Sequence, residues 1–191
     1  MRKSDTIKLE LLKMFRFDRG FELCCTECIH YSDITAIKEN CLVEVEVKIS
    51  KSDFRREFQT TTQKSFNHWK EQKHEFYAEP SKAWSSYHIP NKFYFCVPVE
   101  LAEWAKDYLK DKNAKYGLLA YDPELITTKS AKIRTIKSAR NLHENAPKQA
   151  AFHQAAIRTT NELITLKQKY NEALKELEAV KKGVLITEGV A

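Results

Sequence analysis

The strictest alternation of apolar and polar positions is Cys41-Leu-Val-Glu-Val-Glu-Val-Lys-Ile-Ser50, where Val43, Val45, Val47 and Ile49 interleave with Glu44, Glu46 and Lys48. β-Branched residues at period two predict a strand, with the valines on one face and the charged row on the other. The segment Tyr31 to Ile37 alternates too, and Lys38-Glu39-Asn40 reads as a tight turn, so the two segments predict a hairpin. Its register sets Asp33 opposite Glu46, with Cβ atoms roughly 5 Å apart.

Around this hairpin the pattern predicts helices and further strands. Ser4 or Asp5 can cap a first helix with Ile7, Leu11, Met14 and Phe15 on one stripe, and Gly20 ends it. Glu10 falls on or beside that inward face. Phe21 to His30 reads as the first strand. Ser50, with Asp53 at the third helical position, starts a helix anchored by Phe54, Phe58, Phe66 and Trp69, which Thr60 to Thr62 can interrupt. Ala78 to Asn91 reads as a loop carrying Trp84 and Tyr87 over a sheet edge. Phe93 to Val97 is a continuous apolar run and so a central strand; Pro98 to Leu109 is a helix and Gly117 to Tyr121 a second buried strand. Strand, helix, strand in that order predicts a right-handed crossover and a mixed sheet covered by helices. Ala131 to Lys137 alternates as an edge strand.

After Pro147 the period changes. Phe152, Ala156, Thr159, Leu163, Leu166, Tyr170, Ala173, Leu177 and Val180 alternate spacings of four and three, the seam of a coiled coil, closed by Gly183. One long helix either lays this seam on its own domain or pairs with a copy, and a homodimer is the expectation because a lone helix cannot bury the stripe.

Composition narrows the class. At 191 residues the chain predicts one domain with an appendage. It is 42% hydrophobic and 30% charged, with a mean hydropathy of −0.55, and no apolar run approaches the ~20 residues of a membrane span. The N-terminus lacks the apolar stretch of a signal peptide, so the cytoplasm is expected and no membrane partner. Five cysteines, an odd number, fit a reducing compartment better than a disulfide framework. Cys25-x-x-Cys28-x-His30 offers only one knuckle of a zinc site, and in a strand the two thiols point to opposite faces, so they read as buried small hydrophobes.

A net charge of +6 and a pI near 9.0 point to a polyanionic partner, nucleic acid first. The cations are not evenly spread. Between Glu124 and Glu144 there is no acidic residue, yet Lys129, Lys132, Arg134, Lys137 and Arg140 stand there, a candidate phosphate-binding strip. Arg55 and Arg56 follow the charged strand closely and are candidates for the same role.

Two opposed carboxylates repel, and a hard divalent cation between Asp33 and Glu46 removes that cost. Asp33 with Glu46-Val47-Lys48 resembles the PD-(D/E)XK nuclease superfamily, with Ser32 where the proline of that name stands. Lys48 to Phe54 and Pro90 to Pro98 are similar to small bacterial and phage members, MmcB-like proteins among them, and the resemblance spans roughly residues 1–145. It implies an α/β, restriction-endonuclease-like fold: a mixed central sheet flanked by helices, here with a long C-terminal helix over 146–182 and a tail over 183–191. It further implies Mg²⁺ or Mn²⁺ held by Asp33, Glu46 and the Val47 carbonyl, with Lys48 orienting a water and Glu10 completing the shell. Lys73, His74 and Tyr77 fall where some relatives place helical residues near the scissile phosphate, which makes Lys73 and His74 candidates for phosphate contact. The implied activity is metal-dependent (endo)nuclease action, on DNA before RNA. Two alternatives stand beside it: a non-catalytic nucleic-acid-binding protein on the same fold, and a coiled-coil assembly protein whose charged row is a solvated strand face.

Overall fold

The computed structural model describes residues 2–29, 32–59, 68–83 and 88–188. Helix α1 spans Lys3–Lys13 and runs into a π-helical turn, Met14–Asp18. Arg2 occupies its N-cap position without a side-chain cap, so Ser4 and Asp5 lie inside the first turn. The inward stripe is as the spacing predicts: Ile7, Leu11, Met14 and Phe15 are buried. Gly20 then takes φ +66, a left-handed conformation in which a Cβ is strained, and the chain turns into the sheet.

The strands are β1 Leu23–Thr26, β2 Ile34–Lys38, β3 Cys41–Val47, β4 Lys92–Pro98, β5 Gly117–Tyr121 and β6 Ile133–Lys137. They form one sheet in the order β1-β2-β3-β4-β5-β6. β1, β2 and β3 are antiparallel, β3, β4 and β5 run parallel, and β6 returns antiparallel as the far edge. The chain is therefore an α/β protein with a mixed sheet. The hairpin register is the predicted one: Ile34 pairs with Val45 and Thr35 with Glu44.

Helices cover both faces, which is what a sheet with central parallel strands requires. On one face α1 packs Ile7 and Leu11 on Val43, Val45, Val47, Tyr94 and Leu119. On the other lie α2 (Lys51–Arg56), α3 (His68–Ala78) and α4 (Ala102–Lys110), with Phe54, Phe76, Tyr77, Ala105 and Leu109 against Phe93, Phe95 and Leu118. Ser50 caps α2 as its sequence predicts, its hydroxyl accepting from the Asp53 N–H at 3.1 Å.

Helix α5, Gln149–Glu188, begins three residues later than expected and continues through Gly183 without a stop. Ala151 and Ala155 near its start are buried against Cys25, Ile37 and Leu42. No helix among the described residues is long and apolar enough to cross a membrane.

The first strand is shorter than the Phe21–His30 segment because Glu27 adopts φ +48 and breaks the extended chain. That turn brings Cys28 back beside Cys25, where the two thiols hydrogen-bond, rather than to the opposite face. Both stay free, Cys25 fully buried. His30, Tyr31, Thr60 to Thr62, Phe66, Trp84 and Tyr87 lie outside the described residues, as does the side chain of Trp69.

Candidate active site

The charged row of β3 is buried, not solvated: Glu44 is 0% exposed, Glu46 8% and Lys48 4%, with Glu57 and Lys73 at 2% each. α2, α3 and α4 close over that face, so every charge in the row needs a partner. The partners arrive from the segments that cover it. Lys48 Nζ reaches Glu57 at 2.7 Å and Glu46 at 3.3 Å. Lys73 Nζ, from α3, reaches Glu57 at 2.7 Å and Glu46 at 2.9 Å. Two carboxylates and two ammonium groups thus form a closed ring.

His74 extends the ring. Its Nε2 lies 3.3 Å from Glu57 and its Nδ1 2.8 Å from the Tyr116 hydroxyl. Burial lowers the His74 pKa, with Lys73 adding to that against Glu57, so the imidazole is neutral. The tautomer that satisfies both contacts carries its proton on Nε2, donates to Glu57 and accepts from Tyr116. Burial alone would raise the Glu57 pKa, but Lys73, His74 and Lys48 outweigh it and hold Glu57 ionised. Burial would likewise lower Lys48, and Glu46 and Glu57 overturn that to raise it. Lys48 is therefore a fixed ammonium ion.

Asp33 stands at the end of β2 beside this ring. Its Oδ2 accepts from the Val47 N–H at 2.8 Å, and its Oδ1 is paired with Lys8 Nζ of α1 at 2.8 Å. Burial and the neighbouring Glu46 carboxylate raise the Asp33 pKa against these bonds. Glu46 thus stands near enough to Asp33 for its charge to add to the effect of burial. Among the described residues no cluster of three or more His, Cys, Asp or Glu could hold a metal. Two carboxylates and the Val47 carbonyl are nonetheless hard oxygen donors that fit Mg²⁺, which keeps waters and uses few protein ligands. In the present arrangement both carboxylates are occupied by lysines.

Other sequence candidates fall elsewhere. Glu10 turns to the Lys132 N–H at 2.7 Å and Lys13 Nζ at 2.7 Å, not to Asp33 and Glu46. Lys73 and His74 are consumed by the ring and are not free to meet a phosphate. Arg55 is exposed over the Trp104 ring at 5.5 Å, and Arg56 pairs with Asp53 at 3.4 Å. The basic strip has a counter-charge after all: Arg134 pairs with Asp122, which precedes the acid-free interval. Lys132 donates to the Leu125 carbonyl at 2.8 Å. Lys129, Lys137 and Arg140 make no ion pair among the described residues, and burial together with Arg140 lowers the Lys137 pKa.

Glu57 and Lys8 are the residues sequence reasoning missed. For Glu57 a signal existed: it lies between Phe54 and Phe58, three residues from the first, and shares their inward direction. A cavity of about 510 Å³ lies at the opposite end of β3 and β4, lined by Lys38, Cys41, Lys92 and Tyr94, and contains none of the residues above.

No protein-family model matches the chain, and no curated protein does. The fold defines the class: an α/β protein with a six-stranded mixed sheet and a long C-terminal helix. A solved structure similar to it is the SPO1766 protein of unknown function from Silicibacter pomeroyi, with a TM-score of 0.57 and 14% identity, covering 87% of this chain and 92% of that one. The likeness is one of fold.

Proposed function

We propose that the protein is a metal-dependent nuclease of the PD-(D/E)XK type, with a restriction-endonuclease-like domain acting on DNA. The observation that carries this reading is the convergence of Asp33, Glu46, the Val47 backbone and Lys48 at one end of β2 and β3. Mg²⁺ or Mn²⁺ held by Asp33, Glu46 and the Val47 carbonyl would polarise a phosphoryl oxygen and lower the pKa of a bound water. Lys48, held protonated by Glu46 and Glu57, orients that water or offsets charge developing on the phosphate; it does not act as a base. Glu57 and Lys73 fix the Glu46 and Lys48 side chains. Lys129, Lys137 and Arg140 hold the nucleic-acid backbone.

A second reading, a non-catalytic nucleic-acid-binding protein, is favoured by the pairing of both Glu46 oxygens with lysines. One experiment separates the two. Supercoiled plasmid and linear single- and double-stranded DNA are incubated with Mg²⁺, Mn²⁺ or EDTA and wild type, Asp33→Asn or Lys48→Ala. Metal-dependent cutting lost in both variants is the expected result. Intact substrate that is retarded on a gel in a salt-sensitive manner supports the second reading instead.

A further inference from the structure

Helix α5 is two structures in one. Its root is fixed to the domain: Ala151 and Ala155 are buried, Arg158 Nε donates to the Thr26 carbonyl at 2.9 Å, and Glu162 accepts from the Thr26 N–H at 3.2 Å. From Leu163 the helix continues to Glu188, about 39 Å at 1.5 Å per residue, and each residue from Leu163 to Lys181 is exposed. Leu163, Leu166, Tyr170, Leu177 and Val180 are each half exposed or more, on one stripe. In proteins most of a helix's stability comes from packing its apolar face, and this exposed stripe is the kind of surface that marks an interface.

We propose that this stripe pairs with a second copy of the chain as an antiparallel two-helix coiled coil. The size of the seam residues argues for a copy and for its direction. Leu163, Tyr170 and Leu177 take the a positions of the heptad; Leu166, Ala173 and Val180 take the d positions. Running antiparallel, a positions face d positions, so Tyr170 packs over the partner's Ala173, Leu166 on the partner's Leu177 and Leu163 on the partner's Val180. Each layer then combines matched volumes. A parallel pair would stack Tyr170 on its own copy and leave an Ala173 layer half empty beside it, against the close packing of interiors.

Charge agrees with the same register. In an antiparallel pair the g positions face one another, and Lys169 comes opposite the partner's Glu176, twice by symmetry. Lys167, at an e position, meets the partner's Leu174, over which its methylenes can lie while the ammonium reaches water. No like charges are opposed. The two globular domains sit at opposite ends of the pair.

The test uses the full chain and needs no activity, so it stands or falls separately from the nuclease reading. Light scattering on the purified protein should give twice the 22.3 kDa of one chain. The double variant Leu166→Lys with Leu177→Lys, both exposed in the single chain, should fall to one chain mass with an unchanged circular dichroism spectrum of the domain. Direction is read from cysteine trapping beside a wild-type control for the native thiols. Leu163→Cys alone should not link to itself on oxidation, but mixed with Val180→Cys it should give a covalent dimer. A monomeric wild type, a double variant that stays dimeric, or self-linking of Leu163→Cys would each overturn the proposal.

Discussion

Replacing Glu44 by Gln isolates the one carboxyl of the charged row that has no lysine on it. Glu44 is fully buried; the Tyr77 hydroxyl donates to its Oε2, and its Oε1 has no partner among the described residues. Burial pushes its pKa from 4.5 up to about 8, against the Tyr77 bond and Lys73. The folded state thus keeps a proton that the unfolded chain releases near its ordinary pKa. Stability from this group is fully present below about pH 4.5 and is lost as pH rises toward and through 8. The cost is about 1 kcal/mol at pH 5 and about 4 kcal/mol at pH 8. Gln has the same shape, accepts from Tyr77 and does not titrate, and any cost of its unpaired amide is the same at every pH. Urea unfolding of both proteins between pH 5 and pH 8 should therefore show Glu44→Gln gaining on wild type by about 3 kcal/mol across that range. A difference that stays flat with pH would mean that Glu44 is ionised in the fold, and the account of its burial would fail.

Three further outcomes follow from the same geometry. Glu57→Gln removes the negative charge between two buried lysines, turns an amide donor toward one of them, and should cost about 3–5 kcal/mol, lowering the melting temperature on the order of 10 °C; a change within 1 kcal/mol refutes the ring as described. Lys8→Met takes an ammonium off Asp33 and should strengthen Mn²⁺ binding about tenfold, read by electron paramagnetic resonance of free Mn²⁺; equal affinity places the metal elsewhere or nowhere. The hydrogen bond from Cys25, aided by the Ile29 N–H and Arg158, lowers the Cys28 pKa, so iodoacetamide at neutral pH should label Cys28 ahead of Cys24, Cys25, Cys41 and Cys96 in a peptide map.

The sheet was legible because its signals are local. Alternation placed β2 and β3, the turn at Lys38-Glu39-Asn40 fixed their register, and uninterrupted apolar runs marked β4 and β5 as doubly covered strands. What alternation cannot tell is what lies over a face. The Glu44, Glu46, Lys48 row has the pattern of a solvated strand and is buried, because the covering layer brings its own charges from Glu57, Lys73 and His74. Those pairings join residues separated by a crossover and depend on where helices dock. Glu10 on the Lys132 N–H likewise depends on where α1 docks, whereas Asp122 on Arg134 is local to the β5–β6 hairpin. The turn at Glu27 was hidden for another reason: a non-glycine residue at positive φ carries no reliable signature in sequence.

The strand order has a consequence for how the molecule reaches this state. Each strand pairs with its neighbour in sequence, so β1, β2 and β3 can zip as hairpins with short loop closures, and so can β5 with β6. Between Val47 and Lys92 the chain must instead close a long crossover before a single parallel hydrogen bond forms, a cost that falls on the rate. Glu57, Lys73 and His74 all travel on that crossover. The hairpin carrying Asp33 and Glu46 can therefore form early, while the ring that fixes the Glu46 charge has to wait for that crossover to close.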